Sequence, residues 1–417
     1  MLDNNKQALA RPNTQSGSYQ YLLRKGLDSK SGELRAAAKR EKGEPSSYWK
    51  QELSGLSSII FKWLNLLLIF APLGLMAERM KWGSLAGFLL NFLAIIPLSA
   101  LLSEATENLA LHVGETLGGL LNASFGNAVE MIITVNAINE GLVDVVQGSL
   151  IGSILSNLLL VMGMAFIGSH YKTLDAQFNQ AGAGANMTCL VLASMALCLP
   201  TVYTFVPGHC EESKLLISRL VAVVMASIYC LFLYFQLGTH ASHFAQTPVA
   251  GEPEDEVEEA LISAPLAVCL LLAATLVIAA SSEVLVDSIN DVVSDYGLPK
   301  AFIGMILLPI VGNAAEHVSA VTAAMKGKMD LALGVAVGSS TQIGLLVVPF
   351  AVIVGWIVDV DMSLDFNIFM ACTFVLSVFM SSIVLGDGYA NWFEGSMLVA
   401  SYFLVAIVVW FIPSPEN

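Results

Sequence analysis

From about residue 58 to residue 412 the chain is a succession of apolar runs, each near the ~20 residues a helix needs to cross the hydrocarbon core of a bilayer. Eleven are legible: about 58–77, 83–103, 116–138, 143–168, 182–200, 214–236, 261–282, 299–325, 330–357, 363–385 and 391–412. Lipid supplies no water to backbone N–H and C=O groups, so runs of this length must satisfy their own hydrogen bonds and are helices. Only 13% of the residues are charged and 56% are hydrophobic, where an ordinary soluble domain carries about 25% charge. A disordered chain and a water-soluble enzyme are both excluded. The six cysteines show no CxxC pair and no regular spacing, and they read as packing residues.

Charge divides the chain. Residues 1–57 carry 10 Lys+Arg and 6 Asp+Glu, whereas the remaining 360 carry 9 basic and 28 acidic groups. The basic segment has no apolar leader and reads as a cytosolic N-terminal tail of open regulatory role, because Lys and Arg resist translocation. The acidic membrane part turns away from nucleic acid and toward cations. The boundaries that follow are a tail at 1–57, a peripheral first helix at 58–82, a first five-helix repeat at 83–236, an acidic cytosolic loop at 237–260, a second five-helix repeat at 261–412 and a short C-terminal tail at 413–417.

The division into repeats rests on self-similarity. Gly126-Asn127-Ala128-Val129-Glu130 recurs as Gly312-Asn313-Ala314-Ala315-Glu316, and at that same offset of 186 residues 11 of the 28 positions from 126 to 153 are identical. Composition alone would give about 2 or 3. Ser103-Glu104 and Ser282-Glu283 match at a second offset, 179. Five spans separate the two copies of the first motif. An odd number reverses orientation, so the copies are expected to enter the membrane from opposite faces, as in secondary transporters with a midplane site. The expected fold is an all-α integral membrane protein of eleven transmembrane helices, one peripheral helix plus two inverted five-helix repeats.

Glu130 and Glu316 fall well inside apolar runs, where an ionisable group costs roughly 2.5–3.5 kcal/mol on insertion scales and is functional by default. Asn127 and Asn313 precede them by three residues and share their helix faces. Gly126 and Gly312 permit a local break that frees backbone carbonyls. Two carboxylates with amide and backbone oxygens make a hard, oxygen-only cage, suited to Ca²⁺ rather than Zn²⁺ or Cu⁺. Ser149, Gly152, Ser153 and Ser156 share one face of the following helix, as Gly334, Gly338 and Thr341 do in the second copy beside Ser339 and Gln342. Small residues let helices approach, and Ser153 and Ser339 can add oxygens. A carboxyl surrounded by lipid favours its neutral form, and a bound divalent cation favours the carboxylate. Glu130 and Glu316 are therefore expected to release protons to an arriving Ca²⁺, which couples the two fluxes.

Other polar residues divide between packing and function. Gln147 and Gln342 are either packing residues or gate or ligand residues, and His317 is either a packed histidine or a proton-sensitive neighbour of Glu316. Glu104, Glu107 and Glu283 lie at span ends, as vestibule charges or as solvated helix ends. Glu252, Glu254, Asp255, Glu256, Glu258 and Glu259 form a solvated loop or a regulatory Ca²⁺ collector, without the spacing of an EF-hand.

The doubled Gly-Asn-Ala-x-Glu, with Gly-Ser-Ile-Leu-Ser-Asn at 152–157 and Gly-Ser-Ser-Thr-Gln-Ile at 338–343, resembles the Ca²⁺/H⁺ exchangers, the cation/proton exchanger (CAX) family of the calcium/cation antiporter superfamily, over about 58–412. The resemblance implies transport of Ca²⁺, in some members Mn²⁺, into vacuoles or out of cells on the proton gradient, with essential glutamates at the positions of Glu130 and Glu316. It implies a sensor role for the acidic loop, an inhibitory role for N-terminal tails in some members, and for this chain a vacuolar membrane. The partners are then membrane lipid, Ca²⁺ as substrate and H⁺ as counter-ion, with no cofactor; a homo-oligomer is compatible with the sequence. Competing readings are a Na⁺-coupled or Mn²⁺-preferring exchanger and a channel with a ring of glutamates. An intramembrane enzyme is disfavoured: the chain has no His-Glu-x-x-His, and Gly386-Asp387-Gly388 lacks a partner aspartate.

Overall fold

The computed structural model describes residues 45–244 and 260–413. Most of the basic tail, the acidic run Glu252–Glu259 and residues 414–417 lie outside the described residues. The chain forms two compact units, 1–57 and 58–417. In the first, the described residues are helical and begin α1, Pro45–Ile60.

The second unit is helical almost throughout. Its elements are α2 (Trp63–Arg79, opening with a 3₁₀ stretch), α3 (Ser84–Val113), α4 (Glu115–Phe125), α5 (Ala128–Asn139), α6 (Val143–Ser169), α7 (Gln180–Tyr203), α8 (Glu211–Thr239), α9 (Ala264–Asp287), α10 (Ile289–Tyr296), α11 (Lys300–Gly312), α12 (Ala314–Met325), α13 (Met329–Ile357), α14 (Ile368–Val384) and α15 (Trp392–Trp410). Among the described residues seven helices are long and apolar enough to cross a membrane, with α9 and α10 counted as one. α11 and α12 meet that test together but are bent by 56°. The run expected at 116–138 is two short helices, α4 and α5, that part at Gly126 and Asn127.

Two spans are longer than hydropathy predicts. α3 runs ten residues beyond the expected end at 103, to Val113, and Gly114 after it stops it with a φ of 89°; a positive φ is open to glycine at little steric cost. α9 continues five residues past 282. Glu104, Glu107 and Glu283 therefore sit inside helices rather than at their ends. Hydropathy falls where charges begin, but helical hydrogen bonding continues through the polar layer of a bilayer.

α6 is the centre: 83% of its most apolar stretch is buried, against 22% in peripheral α15. Glycines set the closest crossings. A methyl at Gly152 of α6 would stand 2.2 Å from the carbonyl oxygen of Met305 on α11, and Gly148 lies against Gly304. Gly163 of α6 and Gly395 of α15 touch through their backbones. α3 packs along α9 and also against α2. A two-stranded antiparallel sheet pairs β1 (Asp175–Gln177) with β2 (Tyr389–Asn391) in the register Asp175 to Asn391, joining the loops that precede α7 and α15.

π-helical turns interrupt α6 at Ser156–Val161 and α13 at Ile343–Val347. The same turn opens α11 at Ile303–Leu307. Those of α11 and α13 are each followed by a proline, Pro309 or Pro349. A proline ring displaces the carbonyl four residues back, here Met305 or Leu345, which lies inside the π turn in both cases.

Candidate cation site

Two helix breaks face each other across the core. Asn127 separates α4 from α5 (φ −110°, ψ 25°), and Asn313 separates α11 from α12 (φ −86°, ψ 15°). Each break places its glutamate in the first turn of the helix that follows, Glu130 on α5 and Glu316 on α12. Glu130 is 7% exposed and Glu316 is partly buried. A methyl at Gly312 would lie 2.9 Å from Glu130 Oε1, so the first carboxyl rests on the second break.

The asparagines cross between the copies. Asn313 Nδ2 donates to the backbone carbonyl of Ser153 on α6 at 3.1 Å, and Asn127 Nδ2 donates to Gln342 Oε1 on α13 at 2.6 Å. Each break is thus fixed to the helix that follows the other break. With their amide hydrogens so engaged, Asn127 and Asn313 turn their oxygens free: both Oδ1 atoms, both oxygens of Glu130 and Oε2 of Glu316 are buried without a hydrogen-bond partner in the protein. Buried acceptors are otherwise almost always paired. A convergent set of bare oxygens, hard and partly anionic, is what a divalent alkaline-earth cation requires. Beside them lies a cavity of about 10 Å³ bordered by Glu130, Ser149, Ser153 and Gly312, space for about one water-sized particle. Among the described residues there is no group of three or more His, Cys, Asp or Glu that could hold a metal, so any cation here is held by the carboxylates together with amide and backbone oxygens.

The remaining candidates separate. Ser153 is buried at the site, and Ser339 is half-buried. His317 Nδ1 lies 2.6 Å from the carbonyl oxygen of Asn313, and its Nε2 is buried without a partner. Gln147 turns away, donating to the carbonyl of Ser363 at 2.8 Å. Glu104 is ion-paired with Lys62. Glu107 and Glu283 are exposed. Asn157 is one residue that motif reasoning passed over. It is fully buried, with neither amide atom partnered, and lies one turn beyond Ser153 on the same face of α6. Its signal was available: an amide in an apolar run, four residues after a serine already assigned to the site.

The two copies differ in packing. Gly148 and Gly152 press on α11, while the equivalent Gly334 and Gly338 of α13 would meet nothing within 4 Å. Gly312 is buried and Gly126 exposed. The glycine face of α6 is thus packed against α11, and the equivalent face of α13 at Gly334 and Gly338 is unpacked.

A family model described as sodium/calcium exchanger protein matches the chain at residues 83–238 and again at 266–411. The vacuolar calcium ion transporter of Schizosaccharomyces pombe is 41% identical over 360 residues, covering 86% of this chain and 87% of its own. A Ca²⁺/H⁺ antiporter of Aphanothece halophytica is 42% identical over 359 residues, covering 83% and 96%. Among solved structures, that of the Ca²⁺/H⁺ antiporter protein YfkE aligns with a TM-score of 0.71 at 36% identity, over 83% of this chain and 98% of that one. The H⁺/Ca²⁺ exchanger CAX shares the fold at 18% identity and a TM-score of 0.62, over 83% of this chain and 91% of that one.

Proposed function

The chain belongs to the sodium/calcium exchanger family, and from that premise we propose that it is a secondary active antiporter exchanging Ca²⁺ for H⁺ across a membrane by alternating access. The observation that carries the reading is the pair of carboxyls, Glu130 and Glu316, seated on facing helix breaks among buried oxygens that have no protein partner. Relatives named as Ca²⁺/H⁺ antiporters, 42% identical over most of their length, support the two ions. The vacuolar relatives support a vacuolar membrane and movement of Ca²⁺ out of the cytosol.

The site performs the exchange through competition. Ca²⁺ binds the carboxylates of Glu130 and Glu316 with the side-chain oxygens of Asn127 and Asn313, and Ser153 and Ser339 border it from α6 and α13. Protons on the same carboxyls neutralise them once the cation leaves, because bare carboxylates are costly in a low-dielectric core. One site thus carries either a cation or protons but not both, which couples the fluxes. The architecture we assign is eleven transmembrane helices: a peripheral first helix within 58–82, then inverted five-helix repeats at 83–236 and 261–412, with the N-terminus cytosolic. The doubled motif, the paired breaks and the π turns following Ser153 and Ser339 support that division.

The test is ΔpH-driven uptake of radiolabelled Ca²⁺ by the purified protein in vesicles. Glu130→Gln and Glu316→Gln are each expected to abolish exchange while the variant still inserts and elutes as the wild type does. Near-normal uptake by either variant removes the site assignment.

A further inference from the structure

The helix that carries Glu130 is tied to α9 by a polar contact outside the ion site. Asn136, near the end of α5, donates through Nδ2 to Ser282 Oγ at 2.7 Å and to the carbonyl of Ala279 at 3.2 Å. Ser282 donates in turn to that same carbonyl at 3.0 Å and has no exposed surface. A serine in a membrane helix satisfies its own hydroxyl on the preceding turn. The bond from Asn136 is therefore additional, and it fixes the position of α5 along α9.

The duplication assigns mirrored positions. Thr322 of α12 stands to Asn136 at the offset of 186, and Ser103 of α3 stands to Ser282 at the offset of 179. α12 and α3 are in contact, yet Thr322 is exposed and, among the described residues, no side-chain hydrogen bond joins it to Ser103. The bonded pair lies on the side where Gly148 and Gly152 close against α11. The unbonded pair lies on the side where Gly334 and Gly338 stand open. Polar contact and glycine packing are made together on one side and are both unmade on the other.

We propose that Asn136 and Ser282 are a positioning pair for the exchange cycle: their bond holds α5 on α9 while that side is closed and breaks when it opens, Ser103 and Thr322 then meeting in its place. The inference rests on the antiport reading above and adds to it the contact that sets the balance between the two facing states. Removing the bond lowers the population of the state observed. Apparent affinity scales with the fraction of protein in the competent state, so Ca²⁺ binding weakens from the open face and strengthens from the closed one.

The experiment compares Asn136→Ala, Ser282→Ala and the double variant as full-length protein in vesicles of known orientation. Initial rates are measured against Ca²⁺ supplied at each face in turn. Half-saturating Ca²⁺ is expected to rise about two- to tenfold at the face where α13 begins, the shift that losing one hydrogen bond allows, and to fall at the other. The double variant should match either single one, since all three break the same bond. Unchanged values at both faces, shifts of the same sign at both, or effects that multiply in the double variant each overturn the proposal. If an alanine variant fails to insert, Asn136→Cys with Ser282→Cys decides: oxidation to the cross-linked form should stop exchange and reduction restore it, and full exchange by cross-linked protein overturns the pair. Glu130→Gln in the same vesicles keeps the two readings apart, because its retention of exchange would fault the ion site and not the latch.

Discussion

At the scale of single residues, the core is notable for oxygens left bare. A buried hydrogen-bonding group without a partner costs about 1–3 kcal/mol, and here Asn127 and Asn313 leave bare oxygens at the breaks that carry Glu130 and Glu316, while the amide of Asn157, one turn beyond Ser153 on α6, is unpaired as well. If Asn157 were only structural, replacing its unpaired amide would be neutral or stabilising. We expect the reverse for function: Asn157→Ala should weaken apparent Ca²⁺ affinity about tenfold or more while leaving thermal stability at or above the wild-type value, as checked by uptake kinetics and a melting curve. Competition for the carboxyls also fixes a sign for pH. Lowering the pH on the face that presents Ca²⁺ should raise half-saturating Ca²⁺, approaching about tenfold per unit for each proton that must leave; independence of pH on that face would separate the proton path from this site. The glutamates were legible in the sequence because an acid in an apolar run is conspicuous and each has a copy. Asn157 was legible only as an amide in an apolar run and was passed over, because the second copy has Ile343 at the equivalent position, and an argument from duplication is blind to a residue present once.

Among the helices, the breaks and π turns decide where the side chains point. The prolines mark two of the turns in advance: Pro309 and Pro349 each lie four residues beyond a carbonyl inside the π segment they distort. The turn in α6 at Ser156–Val161 has no such mark, since the residues from Gly152 to Gly163 include no proline, and it arises from tertiary packing around the most buried helix. The lengths of α3 and α9 were hidden for a related reason, because hydropathy records where lipid ends and not where a helix does. The glycine contacts yield a paired prediction. Gly152→Ala puts a methyl 2.2 Å from a backbone oxygen; backbone cannot give as a side-chain tip can, so this variant should fail to fold or lose several °C in melting temperature. Gly338→Ala meets no atom within 4 Å and should fold normally. If α13 closes in the alternate state as α6 does in this one, the same methyl blocks that closure. Gly338→Ala should then bind Ca²⁺ and exchange at a small fraction of the wild-type rate, and full turnover would mean that the two copies do not trade packing.

For the molecule as a whole, the question is which gradient drives the cation. The sequence already separated a basic tail from a membrane part with 28 acids against 9 bases, and its doubled motif pointed to a carrier; which ion returns through the site lies in chemistry that charge counts do not reach. The geometry bears on it. Na⁺ return would need the same oxygens to hold monovalent ions in place of Ca²⁺, whereas protons need only the two carboxyls, which are partly or wholly buried. A unit of ΔpH is worth about 1.36 kcal/mol per proton, so if each carboxyl returns with one proton, the Ca²⁺ ratio sustained at steady state should rise about a hundredfold per unit of ΔpH with the membrane potential clamped at zero. If only one of them does, the rise is about tenfold. The measurement is the plateau of Ca²⁺ accumulation in vesicles at stepped ΔpH, repeated with a Na⁺ gradient of equal size and no ΔpH. We expect the plateau to follow ΔpH and to ignore Na⁺. A plateau set by Na⁺ would assign the return path to a metal ion, and with it the bare oxygens of Asn127, Asn313 and Asn157 would become the groups that hold it.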